Sequence, residues 1–312
     1  MKYSDVIGYK ISGLTLGTVA LGTDYNVFHD QQRPARSESL NILNTATGAG
    51  INTIDTARSY GDAEDLIGEY GEDKRQELLN IVTKFKISPN GMENKDKARA
   101  EMMSSIKTSL ERLGRDRLPI CLFHMDSTLP LGQVKNILPE LLEELKKEGL
   151  IEHGGISADD PLEVEMFLDY PVIEAIQVPV NIFDHRLIKR DFFKRLTGRN
   201  IIVFARSVFL KGLFFASPEH LKGNLQAAGP YIRQLHDLAT NEGMSVSQLA
   251  FSFVKDLEGI TSIVFGADKP DQVIQNVELL NGAALPAELR NRISTLFSDI
   301  PESIISPRNW SN

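Results

Sequence analysis

Two short stretches of this chain show how it alternates between strand and helix. Residues 79–83 read Leu-Asn-Ile-Val-Thr and residues 119–123 read Pro-Ile-Cys-Leu-Phe, and each is a short, mostly apolar run of the kind found in strands. Between them, Asp96–Leu113 has the length and apolar spacing of an amphipathic helix. A helix that follows a strand returns the chain to the same edge of a sheet, so successive strands of this kind are most simply parallel.

The same alternation extends over the whole chain. Predicted strands occupy Leu14–Gly17, Asn52–Ile54, Leu79–Thr83, Pro119–Phe123, His153–Ile156, Ala175–Val178, Ile201–Ala205 and Ser262–Phe265. Predicted helices occupy Ser37–Gly48, Ala63–Tyr70, Asp96–Leu113, Gly132–Glu148, Asp160–Leu168, His185–Leu196, Pro230–Glu242, Val246–Asp256 and Pro270–Leu280. Eight strand–helix repeats without a break in composition predict an α/β fold, a closed (β/α)8 TIM barrel that forms a single domain over residues 1–312. The first segment, Met1–Ser12, is predicted to form a hairpin that closes the bottom of the barrel.

The composition excludes several classes of partner. The 312 residues carry 34 Lys and Arg against 42 Asp and Glu, a formal net charge of −8, so we expect no binding to nucleic acid or to an anionic membrane. Cys121 is the only cysteine, and a single cysteine forms no disulfide within the chain. The first residues lack the apolar core of a signal peptide, and no apolar run reaches the roughly 18 residues of a membrane span. We therefore expect a cytoplasmic protein.

The common nucleotide and metal motifs are missing from the sequence. Gly48-Ala49-Gly50 begins like a dinucleotide-binding fingerprint, but Thr53 stands where the third glycine is required, and the turn precedes a strand instead of following one. We interpret it as a helix end and a connector. There is no P-loop motif, and the six histidines show no paired metal-ligand spacing, so no metal site is predicted.

Four polar side chains fall near the ends of three successive predicted strands. Asp55 follows the second strand, Lys84 the third and His124 the fourth, and Tyr60 lies in the loop after Asp55. The carboxyl ends of neighbouring parallel strands share one rim of a barrel, so these four side chains could converge there. Each has an ordinary interpretation when it is taken alone, because a lysine at a strand end usually reaches solvent and an isolated tyrosine usually packs.

Together, the four groups suit one chemistry, which is proton transfer to or from an oxygen. A tyrosine titrates near pH ~10 in water, and a neighbouring ammonium favours its ionised form. An aspartate keeps that ammonium charged, and a neutral histidine can donate a hydrogen bond to a substrate oxygen. Such a site has no nucleophile of its own, and hydride from a nicotinamide cofactor would complete it.

The same residues belong to a longer pattern of spaced motifs. The pattern includes Gly17-Thr18, Leu21-Gly22, Asp55-Thr56-Ala57, Tyr60-Gly61, Glu64, Ile67-Gly68, Lys84, His124, Gly155-Ile156-Ser157, Gln177, Asn181, Gly266 and Gln275-Asn276. In these motifs and in their order, nearly the whole chain resembles the aldo-keto reductases. The resemblance implies an NAD(P)H-dependent oxidoreductase that reduces an aldehyde or ketone to an alcohol, or runs the reverse reaction. It also implies a small carbonyl substrate and a monomer.

The resemblance implies a role for each matching position. Tyr60 would be the general acid, Lys84 and Asp55 would tune it, and His124 would orient the carbonyl. The implied cofactor-binding positions are Gly17, Thr18, Asp55, Ser157, Gln177, Arg206, Ser207, Val208, Gly212, Gly266, Lys269, Gln272, Gln275 and Asn276. Of these, Ser157 and Gln177 would hold the nicotinamide carboxamide. Positions after the seventh strand would run along the pyrophosphate, and positions after the eighth would take the adenosine end.

Departures from the family pattern bear on the cofactor. The family commonly has Asn where Ala158 stands, and an aromatic ring stacked on the nicotinamide where Arg206 stands. A guanidinium can also stack on a ring, but it brings a positive charge. The 2′-phosphate of NADP(H) needs cationic partners, and a family arginine position reads Gln272, which leaves Lys269 as the candidate. We favour NADP(H) on the resemblance alone, with NAD(H) as the alternative.

Two other functions stay open. Lys84 could form a Schiff base in an aldolase, although Asp55 would oppose this by stabilising the ammonium. The chain could instead be a nicotinamide-nucleotide-binding subunit that senses redox state with slow turnover. The sequence motifs do not identify the substrate. The predicted loop after the first barrel strand, Thr23–Arg36, contains aromatic and basic residues, namely Tyr25, Phe28, His29, Arg33 and Arg36. They would suit an anionic or sugar-like carbonyl compound, and the alternative is an ordinary solvated loop.

Overall fold

A hairpin and a closed barrel form the framework of the protein, whose computed structural model describes residues 1–24, 33–71 and 79–311. The hairpin consists of β1 (Tyr3–Val6) and β2 (Tyr9–Ser12). The barrel strands are β3 (Leu14–Gly17), β4 (Thr53–Asp55), β5 (Asn80–Phe85), β6 (Leu118–His124), β7 (Ile151–Ser157), β8 (Ile173–Pro179), β9 (Ile202–Arg206) and β10 (Ser262–Gly266). They pair in parallel in the order β10-β3-β4-β5-β6-β7-β8-β9, which closes on itself. The predicted (β/α)8 barrel is confirmed, with every predicted strand present.

Helices alternate with the barrel strands. Those among the described residues are α1 (Val19–Gly22), α2 (Arg36–Gly48), α3 (Ala63–Gly71), α4 (Pro89–Met92), α5 (Lys95–Leu113), α6 (Leu131–Lys147), α7 (Pro161–Glu165), α8 (Phe192–Leu196), α9 (Gly229–Asn241), α10 (Val246–Lys255), α11 (Pro270–Asn281), α12 (Ala287–Phe297) and α13 (Glu302–Ile305). The last two follow the final barrel strand and were not predicted. Of the helices in the described ranges, none combines the length and apolar character needed to cross a membrane.

One predicted helix is broken in the structure. The segment His185–Leu196 contains a 3-10 turn at Ile188–Arg190 and then the short α8, and Asp191 between them has a left-handed backbone with φ 50°. Likewise, the predicted helix Asp160–Leu168 is helical only over α7. The apolar pattern of this segment still indicates which side chains are buried, and Phe192 is fully buried. Burial of every third or fourth residue does not by itself require a continuous helix.

The N-terminal hairpin closes one end of the barrel, as predicted. Ile11 of β2 packs with Val82 in the apolar cluster inside the barrel. The side chains of Asn52 and Asn80, at the starts of β4 and β5, both donate to the Lys10 carbonyl at 2.7 and 2.9 Å. These contacts fix the hairpin across the amino ends of the strands, so a ligand must reach the barrel from the carboxyl ends.

Strand alternation decides which side chains face the barrel interior. Val82 of β5 and Leu122 of β6 belong to the inner apolar cluster, whereas Phe123 packs in the outer cluster with the helices. Because side chains of a strand alternate between its faces, Lys84 and His124 lie on the same inner face as Val82 and Leu122. The barrel therefore ends in a layer of polar side chains at its carboxyl rim.

Candidate active site

Strand register brings three of the predicted residues to one rim. Asp55 is the last residue of β4, Lys84 the next-to-last of β5 and His124 the last of β6. In the parallel pairing, Lys84 lies beside Leu122 and His124 lies beside Ser157 of β7. Three neighbouring strands thus supply a carboxylate, an ammonium and an imidazole at almost the same level.

The loop after β4 is tied to the neighbouring strand before it reaches Tyr60. The backbone N–H of Thr56 donates to the Val82 carbonyl at 2.8 Å, and that of Arg58 donates to the Lys84 carbonyl at 3.0 Å. These two bonds continue the β4–β5 ladder beyond the end of β4. The residues just before Tyr60 are therefore fixed by backbone hydrogen bonds to the strand that carries Lys84.

Two glycines let the segment after β3 pack directly against this loop. A Cβ on Gly22 would lie 1.9 Å from the Tyr60 carbonyl oxygen, and one on Gly61 would lie 2.1 Å from the Gly22 carbonyl oxygen. Gly61 also has φ 58°, a conformation that residues with a side chain rarely adopt. From α5, the Arg112 guanidinium donates to the Gly61 carbonyl at 3.0 Å. The position of Tyr60 thus depends on a backbone contact that no larger residue permits.

Lys84 is the centre of the charged cluster. Its side chain is fully buried, and its Nζ donates to Asp55 Oδ1 at 2.6 Å and to the Thr56 carbonyl at 2.8 Å. The same Nζ lies 4.9 Å from the centroid of the Tyr60 ring. Burial alone would lower the pKa of Lys84, but the negative charge of Asp55 and the interaction with Tyr60 outweigh it and raise that pKa. The lysine is therefore held as an ammonium.

His124 faces Tyr60 and is uncharged at neutral pH. The two rings meet edge to face, with centroids 6.4 Å apart and planes at 89°. Burial, followed by the positive charges of Lys84, Lys86 and Arg206, lowers the pKa of His124 to about 3. Its Nδ1 is buried and has no hydrogen-bond partner among the described residues. A neutral imidazole in this place can still donate one N–H to a ligand.

Two further predicted residues are connected to the cluster by hydrogen bonds. Gln177 of β8 donates from Nε2 to Asp55 Oδ1 at 2.7 Å, and Ser157 of β7 donates from Oγ to Gln177 Oε1 at 3.0 Å. Asp55 Oδ1 thus accepts from both Lys84 and Gln177. The residues predicted for the nicotinamide carboxamide and those predicted for proton transfer therefore form one network.

Gly17 and Thr18 lie at the same rim but are buried against the chain itself. The Thr18 hydroxyl donates to the Asp55 carbonyl at 3.0 Å, and the Thr18 N–H donates to the same oxygen at 2.9 Å. A Cβ on Gly17 would meet the Phe265 carbonyl oxygen at 3.3 Å. The contacts shown by the structure make this pair a support for the end of β4.

Arg206, at the end of β9, is paired with a residue that the sequence did not single out. Its Nη2 donates to Asp159 Oδ1 at 2.6 Å and to the Ala158 carbonyl at 2.8 Å. The Asp159 side chain is 53% exposed; its partial desolvation would raise its pKa, but the charge and the hydrogen bond of Arg206 outweigh this and lower that pKa. The guanidinium that stands where the family has an aromatic ring is therefore anchored to the loop after β7.

The segments after β9 and β10 have the features of a binding surface for an extended polar ligand. The backbone is left-handed at Ser207, Leu210, Lys211 and Gly212, a conformation associated with concave arrangements of N–H groups that bind anions. At the end of β10, a Cβ on Gly266 would meet nothing within 4 Å.

The start of α11 offers further polar groups. Asn276 is buried, and its Oδ1 has no hydrogen-bond partner among the described residues. Gln272 accepts a hydrogen bond at Oε1 from the Asp268 N–H at 2.9 Å, whereas Lys269 and Gln275 are exposed. The sequence predicted Gln272, Lys269, Gln275 and Asn276 here, and the structure brings them to one end of one helix.

The basic residues proposed for an anionic substrate are used elsewhere. Arg33 pairs with Asp62 and also donates to the Leu21 carbonyl at 2.6 Å. Arg36 pairs with Glu69 of α3. These ion pairs favour the interpretation of the segment as a solvated loop, because both arginines already have carboxylate partners in the chain. Tyr25, Phe28 and His29 lie outside the described residues.

A model of the aldo/keto reductase family matches residues 13–296. The chain belongs to the aldo/keto reductase family. It is an oxidoreductase that reduces carbonyl compounds, and the resemblance seen in the sequence is confirmed. In the described part of this reductase, no group of three or more His, Cys, Asp or Glu side chains is arranged to hold a metal ion.

Three known proteins illustrate the similarity. The NADH-specific methylglyoxal reductase of Escherichia coli (strain K12) is 24% identical over 321 residues, which cover 94% of this chain and 96% of that protein. The holo form of aldo-keto reductase AKR11C1 from Bacillus halodurans has a TM-score of 0.77 at 22% identity, covering 98% of this chain and 99% of that one. An aldo/keto reductase from Klebsiella pneumoniae, solved with NADP and acetate, has a TM-score of 0.68 at 23% identity, covering 95% of each chain. The two structures share the fold of this reductase.

Sequence reasoning missed two basic residues close to the site. Arg58 lies two residues before Tyr60, and Lys86 lies two residues after Lys84. Both line a cavity that also reaches Lys84. The period of two along β5 was the available signal, because it places residue 86 on the same side as Lys84.

Proposed function

We propose that this reductase uses NADPH to reduce an aldehyde or ketone, with Tyr60 giving the proton to the carbonyl oxygen. The observation that carries the proposal is the environment of Lys84, a fully buried ammonium that lies 2.6 Å from Asp55 Oδ1 and 4.9 Å from the Tyr60 ring centroid. A buried charge is costly and calls for an explanation. A lysine held charged beside a phenol has a use when that phenol gives up a proton.

A nicotinamide cofactor held at these positions would supply the hydride that the carbonyl carbon receives. As negative charge develops on the carbonyl oxygen, Tyr60 transfers its hydroxyl proton to that oxygen and is left as a phenolate. The Lys84 ammonium stabilises the phenolate, and the Asp55 carboxylate keeps Lys84 protonated. One hydride on carbon and one proton on oxygen complete the alcohol.

His124 acts on the same oxygen as a donor and not as the acid. Because its pKa is lowered to about 3, the ring is neutral under ordinary conditions and carries one N–H. A neutral donor polarises the carbonyl while leaving the proton transfer to Tyr60. The buried Nδ1 of His124 has no hydrogen-bond partner among the described residues, which supports a ring that forms its hydrogen bonds with a ligand.

The residues present fit a nicotinamide dinucleotide. The unpartnered Oδ1 of buried Asn276 and the open space at Gly266 suit the adenosine end, together with Lys269, Gln272 and Gln275. The positions assigned to the pyrophosphate are Ser207, Val208 and Gly212, and the left-handed backbone at Ser207 and Gly212 supports this. Ser157 and Gln177 would hold the carboxamide, with Asp55, Gly17 and Thr18 beneath it.

The preference between the two nicotinamide cofactors is a finer proposal. The Klebsiella structure contains NADP, whereas the Escherichia coli relative is named as NADH-specific. In this chain Lys269 is an exposed cation at the start of α11, and it can pair with a 2′-phosphate. We therefore propose NADPH, and a KM for NADH that equals or falls below that for NADPH would refute this preference.

A fluorescence titration followed by a carbonyl screen tests the proposal. The wild-type protein should bind NADPH and oxidise it in the presence of at least one simple aldehyde, such as butanal. The Tyr60→Phe variant should bind NADPH with the same Kd but lose about 10²-fold or more in kcat, because only the proton donor is missing. A Tyr60→Phe variant that keeps most of the wild-type rate would show that the proton comes from another group.

The two alternative functions make different predictions. An aldolase needs a neutral lysine as nucleophile, and the raised pKa of Lys84 works against it. Borohydride trapping of a substrate on Lys84 would revive that hypothesis. A redox-sensing subunit would bind NADPH tightly, yet no carbonyl compound in the screen would cause its oxidation.

We also propose that the chain works as one domain and as a monomer in the cytoplasm. The strands of the closed barrel extend from residue 14 to residue 266, which supports a single folding unit. Light scattering tests the monomer, and cell fractionation tests the compartment. A stable dimer, or recovery in a membrane or exported fraction, would overturn these points without affecting the chemistry.

A further inference from the structure

The side chain of Arg206 crosses the carboxyl end of β8. Arg206 ends β9 and lies beside Pro179 of β8 in the parallel register, and β8 separates β9 from β7 in the barrel. Its guanidinium nevertheless reaches the loop after β7, where Nη2 donates to the Ala158 carbonyl at 2.8 Å. Ala158 follows Ser157, and its N–H donates to the Gln177 carbonyl at 3.1 Å. The guanidinium therefore contacts a residue that is bonded to both Ser157 and Gln177, the pair proposed to hold the nicotinamide carboxamide.

The positive charge of Arg206 is only partly balanced inside the site. Among the groups that the guanidinium contacts in the described ranges, the Ala158 carbonyl and the Ser207 hydroxyl are neutral, and Asp159 carries a charge. The Arg206 side chain is 21% exposed and the Asp159 side chain 53% exposed. Because water and salt screen the more exposed charge more strongly, the cation acts on the site more than its partner does.

The charge of Arg206 reaches the opposite side of the site. His124 lies on β6, which is two strands away from β8 and three from β9 in the closed barrel. Arg206 lowers the pKa of His124 and Asp159 raises it, and the influence of Arg206 is the larger of the two. A ligand that lies between His124 and Ser157 is therefore in a net positive field from this ion pair.

The two oxidation states of a nicotinamide cofactor respond differently to such a field. The oxidised ring carries a positive charge, the reduced ring is neutral, and the rest of the molecule is the same in both. A fixed cation near the ring therefore repels the oxidised form alone, and the repulsion acts through space without direct contact.

We propose that Arg206 selects the oxidation state of the bound cofactor, by weakening the binding of NADP⁺ relative to that of NADPH. The inference rests on the proposed function and adds a residue that distinguishes the two cofactor forms. Asp159 holds the guanidinium in place and limits the size of the effect. Weak binding of NADP⁺ would ease its release after each turnover, a step that limits the rate of many enzymes.

The ratio of the Kd for NADP⁺ to the Kd for NADPH tests the proposal. NADPH binding is followed by its fluorescence, and NADP⁺ binding by displacement of NADPH. Arg206→Gln keeps a donor for the Ala158 carbonyl but loses the charge, so the ratio should fall about tenfold. Asp159→Asn removes the opposing charge, so the ratio should rise by a factor of about two or more. The double variant should lie between the two single ones.

Two further variants separate an effect of charge from an effect of structure. A purely structural role of Arg206 would change both Kd values by the same factor and leave their ratio unaltered. Arg206→Lys keeps the positive charge, so its ratio should stay near that of the wild type even where both Kd values rise. Arg292→Gln is the matched control, because it removes a cation from an exposed pair with Glu242 at the end of α9, and both Kd values should be unchanged.

The possible failures are distinguishable. A wild-type ratio in Arg206→Gln, or an equal fall of the ratio in Arg206→Lys, would overturn the role of the charge. If Arg206→Gln does not fold, Asp159→Asn decides, and a ratio that does not rise overturns the inference. If neither NADPH nor NADP⁺ binds, the proposed cofactor and this inference fail together. If the ratios change as expected but no carbonyl compound is reduced, the proposed reduction alone fails.

Discussion

Replacing Asp55 by Asn would separate the charge of this carboxylate from its hydrogen bonds. Lys84 Nζ and Gln177 Nε2 donate to the same oxygen, Oδ1, at 2.6 and 2.7 Å, and the amide oxygen of Asn can accept both bonds. Only the negative charge is lost. Leaving a buried charge without its partner typically costs about 3–5 kcal/mol. With 312 residues and about 2 cal/mol/K of unfolding entropy per residue, Tm should fall by roughly 5–8 °C.

The loss of thermal stability should depend on pH, because it depends on the protonation of Lys84. In the wild type the folded-state pKa of Lys84 is raised above its unfolded value. The resulting stabilisation is complete below the unfolded pKa of about 10.4 and is lost as the pH rises through the folded value. Without the carboxylate, burial becomes the dominant influence on this lysine and lowers its pKa. The difference in Tm between wild type and Asp55→Asn should therefore be largest near pH ~7 and should shrink above about pH 10.5.

Thermal unfolding followed by circular dichroism at these two pH values measures the effect, and NADPH oxidation with an aldehyde measures the accompanying loss of rate. Asp62→Asn is a matched control, since it removes a carboxylate from a half-exposed pair with Arg33. Exposed pairs contribute about 0–1 kcal/mol, so its Tm should change by less than about 2 °C. An Asp55→Asn protein with wild-type Tm and wild-type rate near pH ~7 would refute the role given to the Lys84–Asp55 pair.

Three further outcomes are expected. Gly22→Ala should displace the Tyr60 loop, because its Cβ would lie 1.9 Å from the Tyr60 carbonyl oxygen, and kcat should fall at least about tenfold with NADPH affinity retained. The rate should show no inflection from His124 between about pH 5 and 8, since the pKa of that ring is lowered to about 3, and a pH–rate profile with a break near 6.5 would contradict this. Arg206→Ala should raise the pKa of Asp159, because the charge and the hydrogen bond of Arg206 that lower it are removed; NMR titration of that carboxyl in both proteins measures the change, and an equal pKa in the two would contradict the pairing.

The barrel and the four central residues were predictable because both depend on short-range patterns. A strand of five to seven residues with buried side chains on both faces reads as a continuous apolar run, as in Leu118–His124. Once the strands are parallel, their last residues must share a rim, and this places Asp55, Lys84 and His124 together without any knowledge of the packing. The site followed from topology and residue type.

The pairing of charged side chains was not predictable in the same way. Arg33, Arg36 and Arg58 are equally basic in the sequence, and the first two were considered either as substrate contacts or as part of a solvated loop. The structure pairs Arg33 with Asp62 and Arg36 with Glu69, which leaves Arg58. Which arginine finds a carboxylate depends on how helices and loops pack. Residue periodicity carries no information about that, and it did not reveal the break at Asp191 either.

The hairpin at the amino ends of the strands has a consequence for the order in which the molecule is completed. Tyr3–Ser12 is synthesised before the barrel strands that follow it, yet Tyr9 bonds to Glu152, which lies 143 residues later in the chain. Contacts so distant in sequence form slowly, because the chain loses entropy when the long loop between them closes, before the contacts can stabilise it. The hairpin therefore cannot complete its contacts, and Ile11 stays exposed to water, until the later strands of the barrel have been synthesised and have come together around it.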